Sequence, residues 1–276
     1  MKNVLITGDM GYIGQHLKKM LTVIRPDIKV YGFDIALNGM DVRIPHRLHQ
    51  LRGINNKPIT FDAIVHLAAL VKVGESVERP LDYYETNFTG TMNVLRYVSC
   101  NNFIFASTGA ASNPNSPYGY SKLVAEQCVQ EYCQENGIDH TIFRFYNVIG
   151  QDGFDPTNPD GLFYNLKRIP ETKQIKIYGK DWNTKDGTCV REYVHVNDIC
   201  RAIIKAIDKS SNSIENLAYG DPRTVKEIVS LFLAVNSLDC TAEYLPRRSG
   251  DLESTYLSEP SEYMERHYTY EDMLKI

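Results

Sequence analysis

The 276-residue chain contains no apolar run approaching the roughly 18 residues that a membrane-spanning helix needs, so an integral membrane role is not expected. It has no block of five like charges. With 30 Lys and Arg against 34 Asp and Glu the formal net charge is −4, which argues against an electrostatic grip on nucleic acid or anionic lipid over the bulk of the surface. Its six cysteines form no Cys-x-x-Cys pair and accompany no histidine at ligand spacing. Neither a metal site nor a disulfide framework is expected, and the cysteines read as reduced, mostly buried thiols. The start, MKNVLITGDMG, carries no signal-peptide pattern and enters a folded pattern at once; the expectation is a cytoplasmic protein.

What is present is an ordinary globular balance, 43% hydrophobic and 23% charged, with a mild excess of tyrosine at 18 copies. Apolar strand-like runs at Asn3–Thr7, Lys29–Asp34, Asp62–Leu67, Asn102–Ala106 and His140–Phe145 alternate with helical patterns at Tyr12–Val23, Pro80–Val98 and Tyr118–Glu135. Continuous apolar strands separated by helices predict a parallel sheet covered on both faces. After Asn147 the texture changes, because Gly150–Gly161 is crowded with turn residues and cannot continue the alternation. The fold class expected is α/β: a Rossmann-type doubly wound parallel sheet with a smaller, interleaved C-terminal substrate lobe. The division expected is a first domain over residues 1–149, to which the chain returns at about 188–213, and a second lobe over 150–187 and 214–276.

Two patterns carry chemistry. Gly8, Gly11 and Gly14 follow the first strand and open the first helix, where a tight turn lets a pyrophosphate approach backbone N–H groups at a helix N-terminus. Asp34, 20 residues beyond Gly14, ends the next strand, where an acid accepts hydrogen bonds from an adenosine ribose and repels a 2′-phosphate. NAD is therefore preferred over NADP. Tyr118 and Lys122 lie four apart and share a helix face; an ammonium beside a phenol favours the phenolate and makes a base of it. Ser107 and Thr108 follow the preceding strand, at the sheet edge where ligands collect in open α/β folds.

TGDMGYIG, Asp34, HLAA (66–69), VGESVERPLDYYETNFTGT (73–91), AST (106–108), SPYGYSK (116–122), RFYN (144–147), DGTCVREYVHVND (186–198) and RRSGD (247–251) occur in this order. Together they resemble the extended short-chain dehydrogenase/reductase family, and within it the UDP-glucose (UDP-galactose) 4-epimerase branch. The resemblance implies Tyr118 as catalytic base, Lys122 as its pKa-lowering partner on the nicotinamide ribose, and Thr108 beside the sugar O4. It implies further NAD contacts from Tyr12 and Ile13 at the pyrophosphate, Asp41 and Val42 by the adenine, and Leu67, Asn87 and Tyr146. Asn147, Arg191, Arg248 and Asp251 match the positions that hold the nucleotide-sugar diphosphate and uridine. His66 and His195 read as structural.

The implied reaction is epimerisation of a UDP-hexose at C4 through a transient 4-keto sugar, in a homodimer formed through helices Pro80–Val98 and Tyr118–Glu135. Nucleotide-sugar dehydratases of the same family place a carboxylate right after the Ser/Thr position, where this chain has Gly109, Ala110 and Ala111. Three departures from the branch fall beside the sugar, near the cofactor and at the substrate gate, in that order. The segment Gly109–Ser116 is short, Val71 replaces a lysine, and Thr255 takes a position where some members carry a bulky tyrosine. A smaller residue there would admit N-acetylated sugars, though the adjacent Tyr256 could fill the space. Two alternatives stay open: another NAD-dependent dehydratase or reductase of the family, and a catalytically weak NAD-binding regulatory protein.

Overall fold

In the computed structural model, which describes residues 1–37, 39–51, 59–150, 153–156, 158–256 and 261–276, the chain opens with strand β1 (Lys2–Thr7) and helix α1 (Tyr12–Ile24). Strands β2 (Ile28–Phe33) and β3 (Ala63–His66) follow. Next come helix α2 (Gly90–Tyr97), strand β4 (Asn102–Thr108), helix α3 (Pro117–Glu135) and strand β5 (Asp139–Phe145). Strand β6 (Ser213–Leu217) joins later. These six form one sheet in the order β6-β5-β4-β3-β1-β2. The pairings of β1 with β2, β1 with β3 and β3 with β4 are parallel. The order reverses at β1, since β2 lies on one side and β3 on the other, and this is the switch point whose carboxyl edge binds ligands in doubly wound sheets.

The apolar strands were legible because both faces are covered: Leu5, Phe33, Ile64, Phe103, Phe105 and Ile142 are buried in one core with Val94, Ala125 and Val129 of the helices, and the alternate residues Val4, Ile6, Val65 and Ile104 are buried as well. One predicted element differs. The single helix over Pro80–Val98 is three pieces, a turn at Pro80–Tyr83, a π-helical segment at Tyr84–Thr89, then α2. The Thr91 hydroxyl donates to Asn87 O at 2.6 Å, offering that carbonyl a side-chain partner in place of the α-helical pattern.

The residues separate into two units, Met1–Arg144 with Cys200–Glu215 and Phe145–Ile199 with Asn216–Ile276. The return to the first unit comes at Cys200, partway along helix α4 (Val196–Asp208). Residues from Thr188 to Ile199 stay with the second unit for a visible reason: Val190–Arg191 pairs with Arg223–Thr224 on one side and Ser254–Thr255 on the other. The second unit also pairs Asn147–Ile149 with Tyr193–His195 and Gln174–Tyr178 with Thr241–Leu245. Its own core joins Phe163, Leu166, Ile175, Ile177 and Tyr193 to Phe232 of helix α5 (Val225–Val235), which starts with a Thr224/Glu227 capping box. The turn-rich Gly150–Gly161 stretch is described in part; residues 151, 152 and 157 lie outside the described residues. Among the described residues no helix is long and apolar enough to cross a membrane.

Candidate active site

Helix α3 sets the catalytic geometry. Pro117 occupies its first turn, and the Ser116 side chain caps it by accepting from Gly119 N. Tyr118 is therefore in the first turn, with Lys122 and Glu126 one and two turns on along the same face. The Thr108 hydroxyl, at the end of β4, hydrogen-bonds the Tyr118 phenol; burial pushes that phenol's pKa up and the Thr108 bond pulls it back. Lys122 is 2% exposed, its ammonium 4.1 Å from the Phe105 ring centroid. Burial lowers its pKa to about 7, against the opposing pull of the Glu126 carboxylate. Ser107 and Thr108 diverge as neighbours in a strand must: Thr108 faces Tyr118, while the Ser107 hydroxyl donates to Glu126 Oε1.

His66 has the structural role predicted for it. Thr91 gives its proton to Asn87 O, so His66 Nε2 is the donor in the 2.9 Å bond to Thr91 Oγ1, and Nδ1 accepts from Thr7 Oγ1 at 2.6 Å. Burial, with a smaller contribution from the Lys122 charge, lowers the imidazole pKa to about 3, so it is neutral at physiological pH. Asn87 is fully buried: its Oδ1 accepts from Leu70 N at 2.8 Å and its Nδ2 donates to Leu70 O and Ser121 Oγ. Both of its amide hydrogens are engaged within the protein, and through Ser121, which donates to Tyr118 O, they brace the turn carrying the base.

The glycine turn fits a dinucleotide phosphate. Gly8 has φ +72°, and a Cβ on it would lie 2.7 Å from Ala68 N; a Cβ on Gly14 would lie 2.7 Å from Asp9 Cα. The backbone thus closes tightly, with Gly8 N bonded to Phe33 O and Leu67 N to Thr7 O. Helix α1 starts at Tyr12, Ile13 and Gly14 with no side-chain cap from Gly11, which leaves its positive end to an anion. Asp34 accepts from Met10 N at 3.0 Å and Ala36 N at 2.9 Å, tying the end of β2 to the glycine turn while each oxygen keeps a lone pair for a ribose hydroxyl. Asp41 is held by Arg43 through a bidentate ion pair that keeps its carboxyl below the usual range. Val42 is buried, its carbonyl accepting from Asn93 at 3.0 Å.

In the second unit Arg191, Arg248 and Asp251 are gathered around Cys189, whose thiol is pushed up chiefly by burial and feels all three charges. Arg191 donates to the carbonyls of Val190 and Leu252 at 2.9 and 2.7 Å. Arg248 pairs with Asp251 at 2.9 Å and lies 4.5 Å from the Tyr178 ring centroid. Asn147 is exposed and donates to Glu192 O at 3.0 Å, and the Tyr146 hydroxyl donates to Asn216 at 3.3 Å. Thr255 is half-buried and Tyr256 is 50% exposed.

A sequence profile described as the NAD dependent epimerase/dehydratase family matches residues 4–219. The chain belongs to this family. It is 31% identical to a UDP-glucose 4-epimerase of Rhizobium leguminosarum bv. trifolii, covering 91% of this chain and 87% of that protein. It is 30% identical to UDP-glucose 4-epimerase 4 of Oryza sativa subsp. japonica over 93% of this chain and 83% of that one. Among solved structures it resembles the UDP-glucose 4-epimerase from Bifidobacterium longum in complex with NAD+ and UDP, at 26% identity and a TM-score of 0.88, over 99% of this chain and 96% of that chain. A second is the UDP-Glc/GlcNAc 4-epimerase from Campylobacter jejuni, at 26% identity and a TM-score of 0.77 over 98% and 96%.

For a member of this NAD-dependent family, two features of the first unit escaped the sequence reading. Asp9, inside the glycine turn, is 2% exposed and pairs with Lys18 at 2.5 Å, lying against strand β2 at Gly32. Glu126 is buried between Ser107 and Arg144. Acids in helix or loop interiors look like surface residues in one dimension, and only the α3 spacing of four from Lys122 to Glu126 hinted at the second. Among the described residues no cluster of His, Cys, Asp and Glu could hold a metal ion.

Proposed function

We propose that the protein interconverts UDP-hexoses at C4, of the UDP-glucose/UDP-galactose type. The observation that carries the reading is the Thr108–Tyr118–Lys122 arrangement at the carboxyl edge of β4, in a chain whose relatives are 4-epimerases. NAD, when bound, would supply the hydride acceptor and donor for the sugar C4. Gly8, Gly11, Tyr12, Ile13 and Gly14 would hold its pyrophosphate and Asp34 its ribose, with Asp41, Val42, Leu67, Asn87 and Tyr146 as further contacts; Asn87 also braces the helix of the base. Tyr118 removes the O4 proton, Thr108 holds that oxygen, and Lys122 keeps the phenolate accessible. Tyr118 then gives the same proton back to O4 as the C4 hydroxyl is re-formed.

Such a turnover demands loose sugar contacts and a firmly held nucleotide. Asn147, Arg191, Arg248 and Asp251 supply the nucleotide grip, with guanidinium groups suited to a diphosphate. The first unit is thus the NAD-binding domain and the second the nucleotide-sugar lobe. With Gly109, Ala110 and Ala111 after Thr108, no acid stands in the position a dehydratase would use. Thr255 favours acceptance of N-acetylhexosamines. The enzyme works as a cytoplasmic homodimer: Leu81 is 81% exposed and Val77 44% on the segment preceding the π-helical turn, apolar side chains open to a second copy, and its free thiols suit a reducing compartment. Incubation with UDP-galactose, UDP-glucose and their N-acetyl forms tests the reading; conversion of none of them would sink it.

A further inference from the structure

Lys122 is not the last member of its helix face. One turn on, Glu126 is 1% exposed, its carboxylate shared by two groups from different strands. The Ser107 hydroxyl of β4 donates to Oε1, and Arg144 at the end of β5 donates to Oε1 at 2.9 Å and Oε2 at 2.6 Å. Ser107 directly precedes Thr108, so Glu126 ties the helix of the base to the strand of the hydroxyl. The same carboxylate is the opposite charge that acts on Lys122, which otherwise faces the Phe105 ring and, across β3, a neutral His66. On the side of the base, Tyr118 meets Tyr83 edge-on at 6.3 Å, and Tyr83 donates to Glu75 at 3.0 Å.

We propose that Glu126 is a positioning residue that keeps the proton of the Tyr118–Lys122 pair on the lysine, leaving the tyrosine as phenolate. The inference rests on Tyr118 serving as base in the proposed function. Where the pair holds one proton it is either phenolate with ammonium or phenol with amine, and only the first form abstracts a proton. A carboxylate one turn beyond the lysine favours the first form. Arg144 and Ser107 hold that carboxylate in place and temper its charge. Removing the charge has two consequences with fixed signs: both limbs of the bell-shaped pH–rate profile move to lower pH, and the plateau falls because less of the pair is in its active form.

The test compares Glu126→Gln and Glu126→Asp with wild type in pH–rate profiles. Tyrosinate absorbance, taken as the difference from Tyr118→Phe, reports the same proton whether or not any sugar turns over. Glu126→Gln is expected to move both limbs down by about one pH unit, with a plateau loss of roughly tenfold, while Glu126→Asp leaves the limbs within a few tenths of wild type. A lowered plateau with unmoved limbs and unmoved tyrosinate titration, or equal shifts in both variants, would overturn the proposal. Should Glu126→Gln fail to fold, Ser107→Ala decides: it removes one donor, sharpens the carboxylate's charge and moves the limbs up, and unmoved limbs overturn the proposal there too. A wild type that turns over no sugar, yet shows the expected tyrosinate shift with Glu126→Gln, overturns the reaction and not the positioning role.

Discussion

Adding a single methyl group at Gly32 tests how the glycine turn is built. A Cβ there would lie 2.7 Å from Asp9 Cγ, with Oδ2 nearer still, and Asp9 is a short, buried side chain with nowhere to retreat. Overpacking of this kind costs about 1–3 kcal/mol, and displacing the carboxylate from Lys18 adds about 1 kcal/mol, a modest sum because Lys18 retains access to water. Gly32→Ala should therefore lose about 3 kcal/mol in equilibrium urea denaturation and weaken NAD binding, since Asp9 sits between Gly8 and Gly11. Gly74, with nothing within 4 Å of its would-be Cβ and a helical position, is the control: Gly74→Ala should be neutral or stabilising by up to about 1 kcal/mol. The decisive arm is a double-mutant cycle, because in an Asp9→Ala background the methyl has room and Gly32→Ala should cost less than about 1 kcal/mol. A Gly32→Ala variant as stable as wild type, or one equally damaged with and without Asp9, would refute the argument.

Three further outcomes are expected. Asp34→Asn should weaken NAD binding about tenfold and narrow the preference over NADP, measured by cofactor titration, because it removes the charge that repels a 2′-phosphate and weakens the hold on Met10 N. His66, with a folded pKa of about 3 against 6.5 unfolded, excludes a proton that the unfolded chain binds; stability should fall as pH drops from about 6.5 toward 3, at up to about 1.4 kcal/mol per unit, and His66→Gln should lose that component of the slope in urea titrations across pH. Arg248→Ala should raise KM for UDP-sugar about 10- to 100-fold with a smaller change in kcat; an effect on kcat alone would place Arg248 away from the nucleotide.

The alternation of buried strands and helices was readable because a sheet covered on both faces leaves near-continuous apolar runs, as in Ala63–His66 and Asn102–Thr108. Helix spacing puts Tyr118 and Lys122 on one face and Thr108 stands at a strand end, but such spacing is commonplace, and the roles expected of them come from the motif resemblance. What stayed hidden depends on three-dimensional neighbours. The π-helical turn at Tyr84–Thr89 reflects bonds among Asn87, Leu70 and Thr91 that no periodicity encodes. Asp9 lies over Gly32 and pairs with Lys18, neighbours that no spacing in the glycine turn names. Asn87 matches a cofactor-contact position by motif, and the bonds of its amide hydrogens to Leu70 and Ser121 depend on neighbours the motif does not name. The passage back to the first unit at Cys200 follows from the strand partners of Val190–Arg191, and their identity lay some 30 and 60 residues downstream.

In the proposed reaction one hydride leaves C4 and returns to the same carbon while Tyr118 handles the proton. Incubating the protein with NAD and UDP-galactose deuterated at C4, and following the products by NMR, tests this most directly. UDP-glucose should form with the deuterium retained at C4, and Tyr118→Phe should bind NAD while forming product at least about a hundredfold more slowly. Absence of UDP-glucose, loss of the label to solvent, or undiminished turnover by Tyr118→Phe would contradict the account.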